Sequence, residues 1–332
     1  MGFRALVTRQ SGKSFASAVE MLEADALPEG EVLVSVDWSG LNYKDALCLT
    51  GQGGLVKTWP HVGGIDFAGR VVESRDARYH PGQAVILTGW RVGELTFGGF
   101  AQRARVKADY LVPTPRQMST RTAMMIGTAG LAAMMAINRL QGLGLKARTG
   151  EVLVTGAGGG VGSIAVMLLA RLGYHVVAAT GRPAVAEMLT KLGASRIVSR
   201  EDILGTSGKV LGKEQWDGVV DTIGGPGLAE ILKQVRYGGA VAAVGNAAGL
   251  GFEGNIIPFI LRNVTLSGVD TVMQPFELRR AAWDRLATLF SAPLYEAAIT
   301  EARLEDVPGL LPRLLKGEIA GRVIVTPKLP ES

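Results

Sequence analysis

The densest concentration of chemically useful residues is the run Glu151-Val152-Leu153-Val154-Thr155-Gly156-Ala157-Gly158-Gly159-Gly160-Val161-Gly162-Ser163-Ile164-Ala165. An apolar strand runs into a glycine-dense turn that opens a helix, the arrangement that binds a dinucleotide pyrophosphate. The early glycines permit the tight turn and let backbone N–H groups approach phosphate. The helix N-terminus adds orphan donors and a partial positive charge. Gly162 lets the helix pack closely on the strand. The spacing reads Gly156-x-x-Gly159-x-x-Gly162, with Val161 where the common G-x-G-x-x-G pattern has its third glycine. Gly158, Gly159, Gly160 and Val161 are the expected phosphate contacts.

The strand expected next ends Val176-Val177-Ala178-Ala179-Thr180-Gly181-Arg182, with no acid. An NAD-preferring site places Asp or Glu there to accept from the ribose 2′-OH. A carboxylate repels a 2′-phosphate, whereas the Thr180 hydroxyl, the open backbone at Gly181 and the planar guanidinium of Arg182 suit one. Arg200, after the third strand, is a second candidate for the same region. The expected cofactor is NADPH. The stretch Thr155–Gly162 also matches the Thr-Gly-x-x-x-Gly-x-Gly of short-chain dehydrogenases. That reading needs the motif near the N-terminus and a Tyr-x-x-x-Lys beyond it. The motif is mid-chain, and none of the tyrosines at 43, 79, 110, 174, 237 and 295 has a lysine four residues on.

The elements that must carry these residues follow from composition and pattern. The chain has 332 residues, of which 45 are glycine and one, Cys48, is cysteine. Its length suggests two domains. One cysteine excludes a disulfide framework and any zinc site built on several thiolates. The formal charge of +5 is no footprint of nucleic-acid binding, though it favours anionic substrates weakly. Met1–Val7 reads as a strand start, not a secretory leader. The most apolar stretch, 123–137, is too short to span a bilayer and reads as a buried helix. A cytoplasmic location, without membrane or nucleic-acid partners, is the expectation.

Up to about residue 120 the pattern is β-rich, with expected strands at 5–7, 31–36, 69–73 and 84–87. A helix is expected over 122–140. Strands and helices then alternate: strands at 151–155, 175–179, 196–198, 218–221 and 240–244, and helices at 161–172, 184–192 and 228–235. Such alternation means a parallel sheet with right-handed crossovers. Helices at 277–290 and 307–316 and a strand at 321–326 close the chain.

Taken together, the chain resembles the medium-chain dehydrogenases/reductases of the zinc-free quinone-oxidoreductase branch, and within it the acrylyl-CoA reductase subgroup. The resemblance runs over essentially the whole length. It rests on Leu41-Asn42-Tyr43-Lys44-Asp45-Ala46-Leu47, Gly64-Ile65-Asp66-Phe67-Ala68-Gly69, Leu87-Thr88-Gly89-Trp90 and Ile126-Gly127-Thr128-Ala129-Gly130. The glycine loop, Leu192-Gly193-Ala194-Ser195-Arg196 and Pro258-Phe259-Ile260-Leu261-Arg262-Asn263-Val264 complete it. It implies an α/β protein in which a GroES-like β-barrel catalytic domain, residues 1–125 plus 271–332, receives an inserted Rossmann doubly wound parallel-sheet domain, residues 126–270. The active site would lie in the cleft, and the enzyme would be a homodimer.

The resemblance also implies an activity. NADPH would reduce the C=C bond of an α,β-unsaturated thioester, acryloyl-CoA to propanoyl-CoA, without metal. Negative charge would develop on the thioester oxygen, and an acid would protonate the α-carbon. Tyr43 is the candidate for contact with the nicotinamide end, readable either as the proton donor or as an aromatic wall that transfers no proton, and Asn42 is the candidate for an amide hydrogen bond to cofactor or substrate. Asn246, Ile260 and Thr271 carry over as cofactor contacts by resemblance alone, Ile260 being equally readable as core. Trp90, Arg91 and Phe97 are expected on a cleft-side loop, readable either as meeting acyl-CoA or as ordinary exposed loop aromatics. Arg322 is readable either as facing the thioester or CoA phosphates or as a surface charge.

The zinc-dependent branch has a cysteine before the catalytic strand, a His-Glu pair at the positions of Ile65-Asp66, and a four-cysteine lobe. Here Ile65 occupies the histidine position, and His61, His80 and His175 lack ligand spacing. No metal is expected, and Asp66 reads as a structural acceptor. The competing readings are an NADPH-dependent reductase of quinones or free enones, a non-catalytic NADPH-binding protein, and, without any supporting basic run, a nucleic-acid binder.

Overall fold

The computed structural model describes residues 2–147, 150–204 and 208–328. The chain divides into two compact units. One comprises Met1–Thr128, Thr271–Ala287 and Ile299–Ser332; the other comprises Ala129–Asp270 and Thr288–Ala298.

The first unit is built on strand Val32–Leu41, ten residues with hardly an exposed position. A strand buried on both faces reads as a continuous apolar run, and Val32-Leu33-Val34-Ser35-Val36 is one. It sits inside a sheet ordered Ile299–Arg303, Arg322–Thr326, Val32–Leu41, Asp66–Ser74, Ala84–Thr88, Leu111–Pro113, with Arg103–Val106 paired to its first half. Its last residues meet the closing strand of the chain, Leu41 opposite Val323 and Gly40 opposite Ile324. A second sheet pairs Ser14–Leu22, Phe3–Ser11 and His61–Val62. Two apolar cores result. One gathers Phe3, Leu6, Leu49, Phe100 and Val323, and the other Val34, Phe67, Val85, Leu87 and Leu111.

The second unit holds a six-stranded sheet in which every pairing is parallel. Its order is Arg196–Val198, His175–Ala179, Glu151–Val154, Trp216–Asp221, Val235–Ala243, Thr265–Gly268. Numbered by appearance, this is 3-2-1-4-5-6, the doubly wound dinucleotide-binding order, and the strand order reverses beside Glu151–Val154. Its core joins Leu153, Val177, Trp216, Val219, Ile231 and Val241.

The expected alternation is therefore present, with three additions. Thr265–Gly268 is an edge strand, and short helices form at Arg200–Leu204 and Ile257–Arg262. The expected helix over 122–140 runs longer, Thr120–Gly142. Its length and composition would let it cross a membrane, but 78% of its apolar window is buried inside the protein. Gly127 interrupts it at φ 52, ψ −157, a conformation only glycine adopts without strain.

Candidate active site

In the first unit Asn42–Asp45 directly follows a strand and starts a helix. Strand Val32–Leu41 ends, Asn42 takes extended angles (φ −118, ψ 158), and helix Tyr43–Leu49 begins. The Asp45 carboxylate closes the turn from within: Oδ2 accepts the Asn42 backbone N–H at 2.9 Å. Its other oxygen accepts the N–H groups of Gly64 and Ile65 at 3.0 and 2.9 Å. Asp45 is fully buried. Burial, aided by the nearby negative charge of Asp66, pushes its carboxyl up to about 7 despite those donors.

Arg322 opens the closing strand and is buried, so it is not a surface charge. Its guanidinium donates to Asn42 Oδ1 at 2.8 Å and to the carbonyls of Leu41 and Met124, each at 3.3 Å. Asp66 lies 3.8 Å from it and accepts from Gly40 N at 2.9 Å and Thr128 N at 2.6 Å. The expectation that Asp66 is a structural acceptor matches these contacts. The Asn42 amide, expected to reach cofactor or substrate, donates to Gly40 O and Asp45 Oδ2, both at 3.3 Å. Tyr43, at the first helical position, keeps 37% of its surface exposed. Among the described residues its hydroxyl makes no hydrogen bond. An exposed phenol on a rigidly held helix start can meet a ligand and donate a proton to it.

The loop carrying Trp90 and Arg91 is braced inside the same unit. Trp90 and Arg91 both take left-handed angles (φ 57 and 58). The indole stacks on Tyr110 at 5.1 Å, and the Arg279 guanidinium lies 5.0 Å from its centroid. Arg279 also donates to Thr88 O, Thr271 O and Val272 O, so Thr271 is fixed by its carbonyl. Arg91 and Lys44 both pair with Glu94. Phe97 packs edge-on against His61 in the core.

In the second unit the glycine loop sits at the carboxyl ends of the strands. Gly156 takes a left-handed φ of 56, and a Cβ at Gly162 would lie 2.4 Å from Gly156 O. Helix Gly160–Arg171 starts immediately after, with Gly159 as its N-cap. The first-turn N–H groups of Gly160, Val161 and Gly162 have no intrahelical acceptor. Sequence reading missed the loop's anchor. Thr155 Oγ1 donates to Asp221 Oδ1 at 2.7 Å and accepts from Thr222 N at 2.9 Å. Asp221 Oδ2 accepts from Gly224 N at 2.9 Å. Burial raises the Asp221 carboxyl above its ordinary range. The available signal was an acid ending the apolar strand Trp216–Asp221. Ser163 donates to Gly159 O at 2.7 Å and shares a 2.6 Å hydrogen bond with the buried Tyr295 hydroxyl, which ties segment Thr288–Ala298 to this unit.

Thr180 and Arg182 follow strand His175–Ala179, the Thr180 hydroxyl accepting the Arg182 N–H at 3.1 Å. A Cβ built on Gly158 would stand 2.9 Å from Arg182 Nη2, and one on Gly181 would stand 3.8 Å from Arg200 Nη2. The two guanidinium groups thus lie beside the glycine loop and the turn after the second strand. Arg182 is half-buried, which lowers its proton affinity. Among the described residues no carboxylate pairs with it. This cradle of glycine backbone, helix-start donors and two arginines fits a phosphorylated dinucleotide. Asn246, past strand Val235–Ala243, is at the same edge of the sheet, its carbonyl accepting from Gly249 N. Ile260 is 64% exposed on helix Ile257–Arg262, so it is not core.

Residues 28–116 match the family described as alcohol dehydrogenase GroES-like domain, and residues 160–289 match zinc-binding dehydrogenase. The acrylyl-CoA reductase AcuI of Ruegeria pomeroyi is 52% identical, covering 97% of this chain and 98% of that protein. The chain is a medium-chain dehydrogenase/reductase. This dehydrogenase/reductase is 42% identical to the putative quinone oxidoreductase YhfP of Bacillus subtilis, covering 97% of this chain and 98% of that one. YhfP has been solved with NAD bound and superposes with a TM-score of 0.94. The YhdH oxidoreductase of Salmonella enterica, solved in complex with NADP, is 47% identical with a TM-score of 0.95 over 98% of this chain and 100% of that chain.

The zinc in one family description does not fit this medium-chain dehydrogenase/reductase. Among the described residues no three His, Cys, Asp or Glu side chains gather to hold a metal. Cys48 is buried, and burial pushes its thiol up to about 12, far from a thiolate ligand. His61 spends Nε2 on Gly93 O at 2.9 Å. Both Asp66 oxygens are engaged.

Proposed function

We propose that this protein reduces the C=C bond of an α,β-unsaturated thioester, with acryloyl-CoA converted to propanoyl-CoA, using NADPH and no metal. The observation that carries the cofactor is the acid-free end of strand His175–Ala179, with Arg182 and Arg200 beside the glycine turn. The substrate rests on the full-length likeness to the Ruegeria acrylyl-CoA reductase.

NADPH, when bound, supplies the hydride for the β-carbon. In the second unit, backbone N–H groups of Gly158–Val161 receive the diphosphate, while Thr180, Gly181, Arg182 and Arg200 receive the 2′-phosphate. Asn246, Ile260 and Thr271 are further cofactor contacts. In the first unit Tyr43 meets the nicotinamide end and gives its proton to the α-carbon, with Asn42 holding it there. The catalytic domain is residues 1–125 plus 271–332, apart from the segment Thr288–Ala298 that packs with the NADPH-binding domain, 126–270. A cytoplasmic homodimer completes the reading. The edge position of Thr265–Gly268 and the exposed Leu250 and Leu261 support a second copy.

A second reading, NADPH-dependent reduction of quinones or free enones, is favoured by the likeness to YhfP. Steady-state NADPH oxidation with acryloyl-CoA, crotonyl-CoA and a quinone side by side separates the two. Preference for acryloyl-CoA in kcat/KM supports the first reading, and turnover of the quinone alone overturns it.

A further inference from the structure

We infer that Asp45 and Arg322 are positioning residues for Tyr43, gripping Asn42 from two sides so that the first residue of the helix stands in one place. The inference rests on the role proposed above for Tyr43. That side chain has no hydrogen bond among the described residues, so its location depends on the backbone that carries it. Every polar group that could steer the backbone at Asn42 is taken. Its N–H goes to Asp45, its side-chain oxygen to Arg322, and its amide nitrogen to Gly40 O and Asp45.

The geometry assigns Arg322 to this task ahead of a plain ion pair. Its shortest contact is Asn42 Oδ1 at 2.8 Å, while Asp66 is 3.8 Å away. It also holds the carbonyl of Leu41, the residue before Asn42. Asp45 does the complementary work by joining the helix start to Gly64 and Ile65, the turn that leads into strand Asp66–Ser74. One carboxylate thus fixes Tyr43 against a second element. It has three backbone N–H donors and the Asn42 amide to satisfy and no hydrogen-bonding cation of its own.

A proton on Asp45 would turn an acceptor into a donor facing those N–H groups. The charged and titratable groups around Asp45 are few. Asp66 faces it from the neighbouring strand and raises its proton affinity together with burial. Arg322 stands beyond Asn42. On its own helix are Cys48 and Lys44, the latter paired with Glu94, which Arg91 also holds. Helix Val307–Leu315, packed on the Tyr43 helix, brings only Arg313, which pairs with Glu318. The segment Gln52–Gly54 brings no charge.

Asp45→Asn keeps the shape but sets an amide N–H against the Asn42 N–H. Arg322→Lys keeps the charge but loses the fork that bridges Asn42 to two carbonyls. With ring-13C tyrosine in the whole protein, the Tyr43 resonance is identified by its loss in Tyr43→Phe. It is expected to shift with a midpoint near pH 7 and to stop titrating in Asp45→Asn. In turnover, both variants should lower kcat by roughly 10- to 100-fold, the scale of an ångström-sized misplacement, with the KM for NADPH little changed. In a Tyr43→Phe background neither should lower kcat further. A Tyr43 resonance indifferent to pH and to both substitutions, or kcat losses that persist undiminished without the Tyr43 hydroxyl, overturns the inference. Should Asp45→Asn not fold, Arg322→Lys decides by the same readouts. If the wild-type enzyme turns over none of the three substrates, the functional reading falls and the resonance still decides the inference.

Discussion

Arg322 Nη2 lies 3.8 Å from Asp66 Oδ2 in the interior of the first unit, and two glycines press against the pair. A Cβ on Gly40 would stand 2.4 Å from Arg322 Nη2 and 2.6 Å from Asp66 Oδ1. One on Gly127 would stand 2.4 Å from Arg322 Nη2 and 2.7 Å from Asp66 Oδ2. The buried charges have been given room by deleting side chains around them. Asp66 can then take backbone N–H groups from two directions, as a buried carboxylate requires.

Gly40→Ala and Gly127→Ala should each destabilise the protein. Forcing a methyl into packed surroundings costs about 1–3 kcal/mol, and Gly127 adds strain at its positive φ. Gly142→Ala, at the end of the same helix with nothing within 4 Å of its added Cβ, should be neutral or slightly stabilising. Thermal unfolding of the three variants is the check. Equal Tm values for Gly127→Ala and Gly142→Ala would contradict the packing described.

Arg182→Ala should raise the KM for NADPH far more than that for NADH. Loss of a charge-assisted bond to phosphate is worth about 1.5–3 kcal/mol, or roughly 10- to 100-fold. Arg200→Ala should act in the same direction more weakly, since that side chain is exposed. Initial rates with both cofactors are the measurement. Equal changes in the two KM values would move the 2′-phosphate elsewhere.

The parallel sheet was legible because its inner strands are apolar runs alternating with helical segments, and the glycine loop because strand, turn and helix coincide with it. Thr265–Gly268 was not. It is four residues long, has no fully buried position and lies at the sheet edge, so it carries no period to read. The helix start at Tyr43 was signalled by Asn42 with an acid three residues later, a capping pattern. That signal was hidden by the strand-like residues before it. Arg322 was unreadable for a different reason. Its partners Leu41 and Met124 are 281 and 198 residues away, and local sequence cannot tell a buried arginine with distant acceptors from a surface one. Nor could it tell that the Asn42 amide turns inward.

Thr155→Val should weaken both the unit and its cofactor site. The substitution leaves Asp221 Oδ1 without its 2.7 Å donor and Thr222 N without its 2.9 Å acceptor. Stranding buried polar groups costs about 1–3 kcal/mol. The loop that follows Thr155 should then bind NADPH more weakly even where the protein is folded. Urea unfolding and fluorescence titration with NADPH should move together, and a variant with unchanged stability would contradict the anchor.

Asp45 gives stability a pH dependence whose sign can be worked out. Its carboxyl is raised from 3.8 to about 7 in the folded protein, so the folded state holds a proton that the unfolded chain has released. Stability rises with pH only where the unfolded state binds more protons, which is the reverse of this case. The contribution of Asp45 is therefore complete below its unfolded value, declines as pH rises towards 7, and is flat above that. Relative to Asp45→Asn, which cannot titrate, the wild-type protein should lose stability across that window. Urea midpoints of the pair at several pH values test this, and a difference constant from acid to neutral pH would contradict it.

Tyr43→Phe isolates the hydroxyl that the helix start presents. If Tyr43 meets the nicotinamide end as proposed, its ring remains in the variant, and the KM for NADPH should stay close to that of the wild-type enzyme. If the hydroxyl protonates the α-carbon, kcat with acryloyl-CoA should fall by about 100-fold or more, the usual contribution of a positioned acid. Solvent should then supply the proton, and the rate should become more dependent on buffer acid. The side chain is 37% exposed and helical in backbone, so the substitution should leave Tm unchanged, and a lower rate cannot be ascribed to unfolding. Full turnover by Tyr43→Phe would remove the acid role and leave Tyr43 as an aromatic wall for the cofactor.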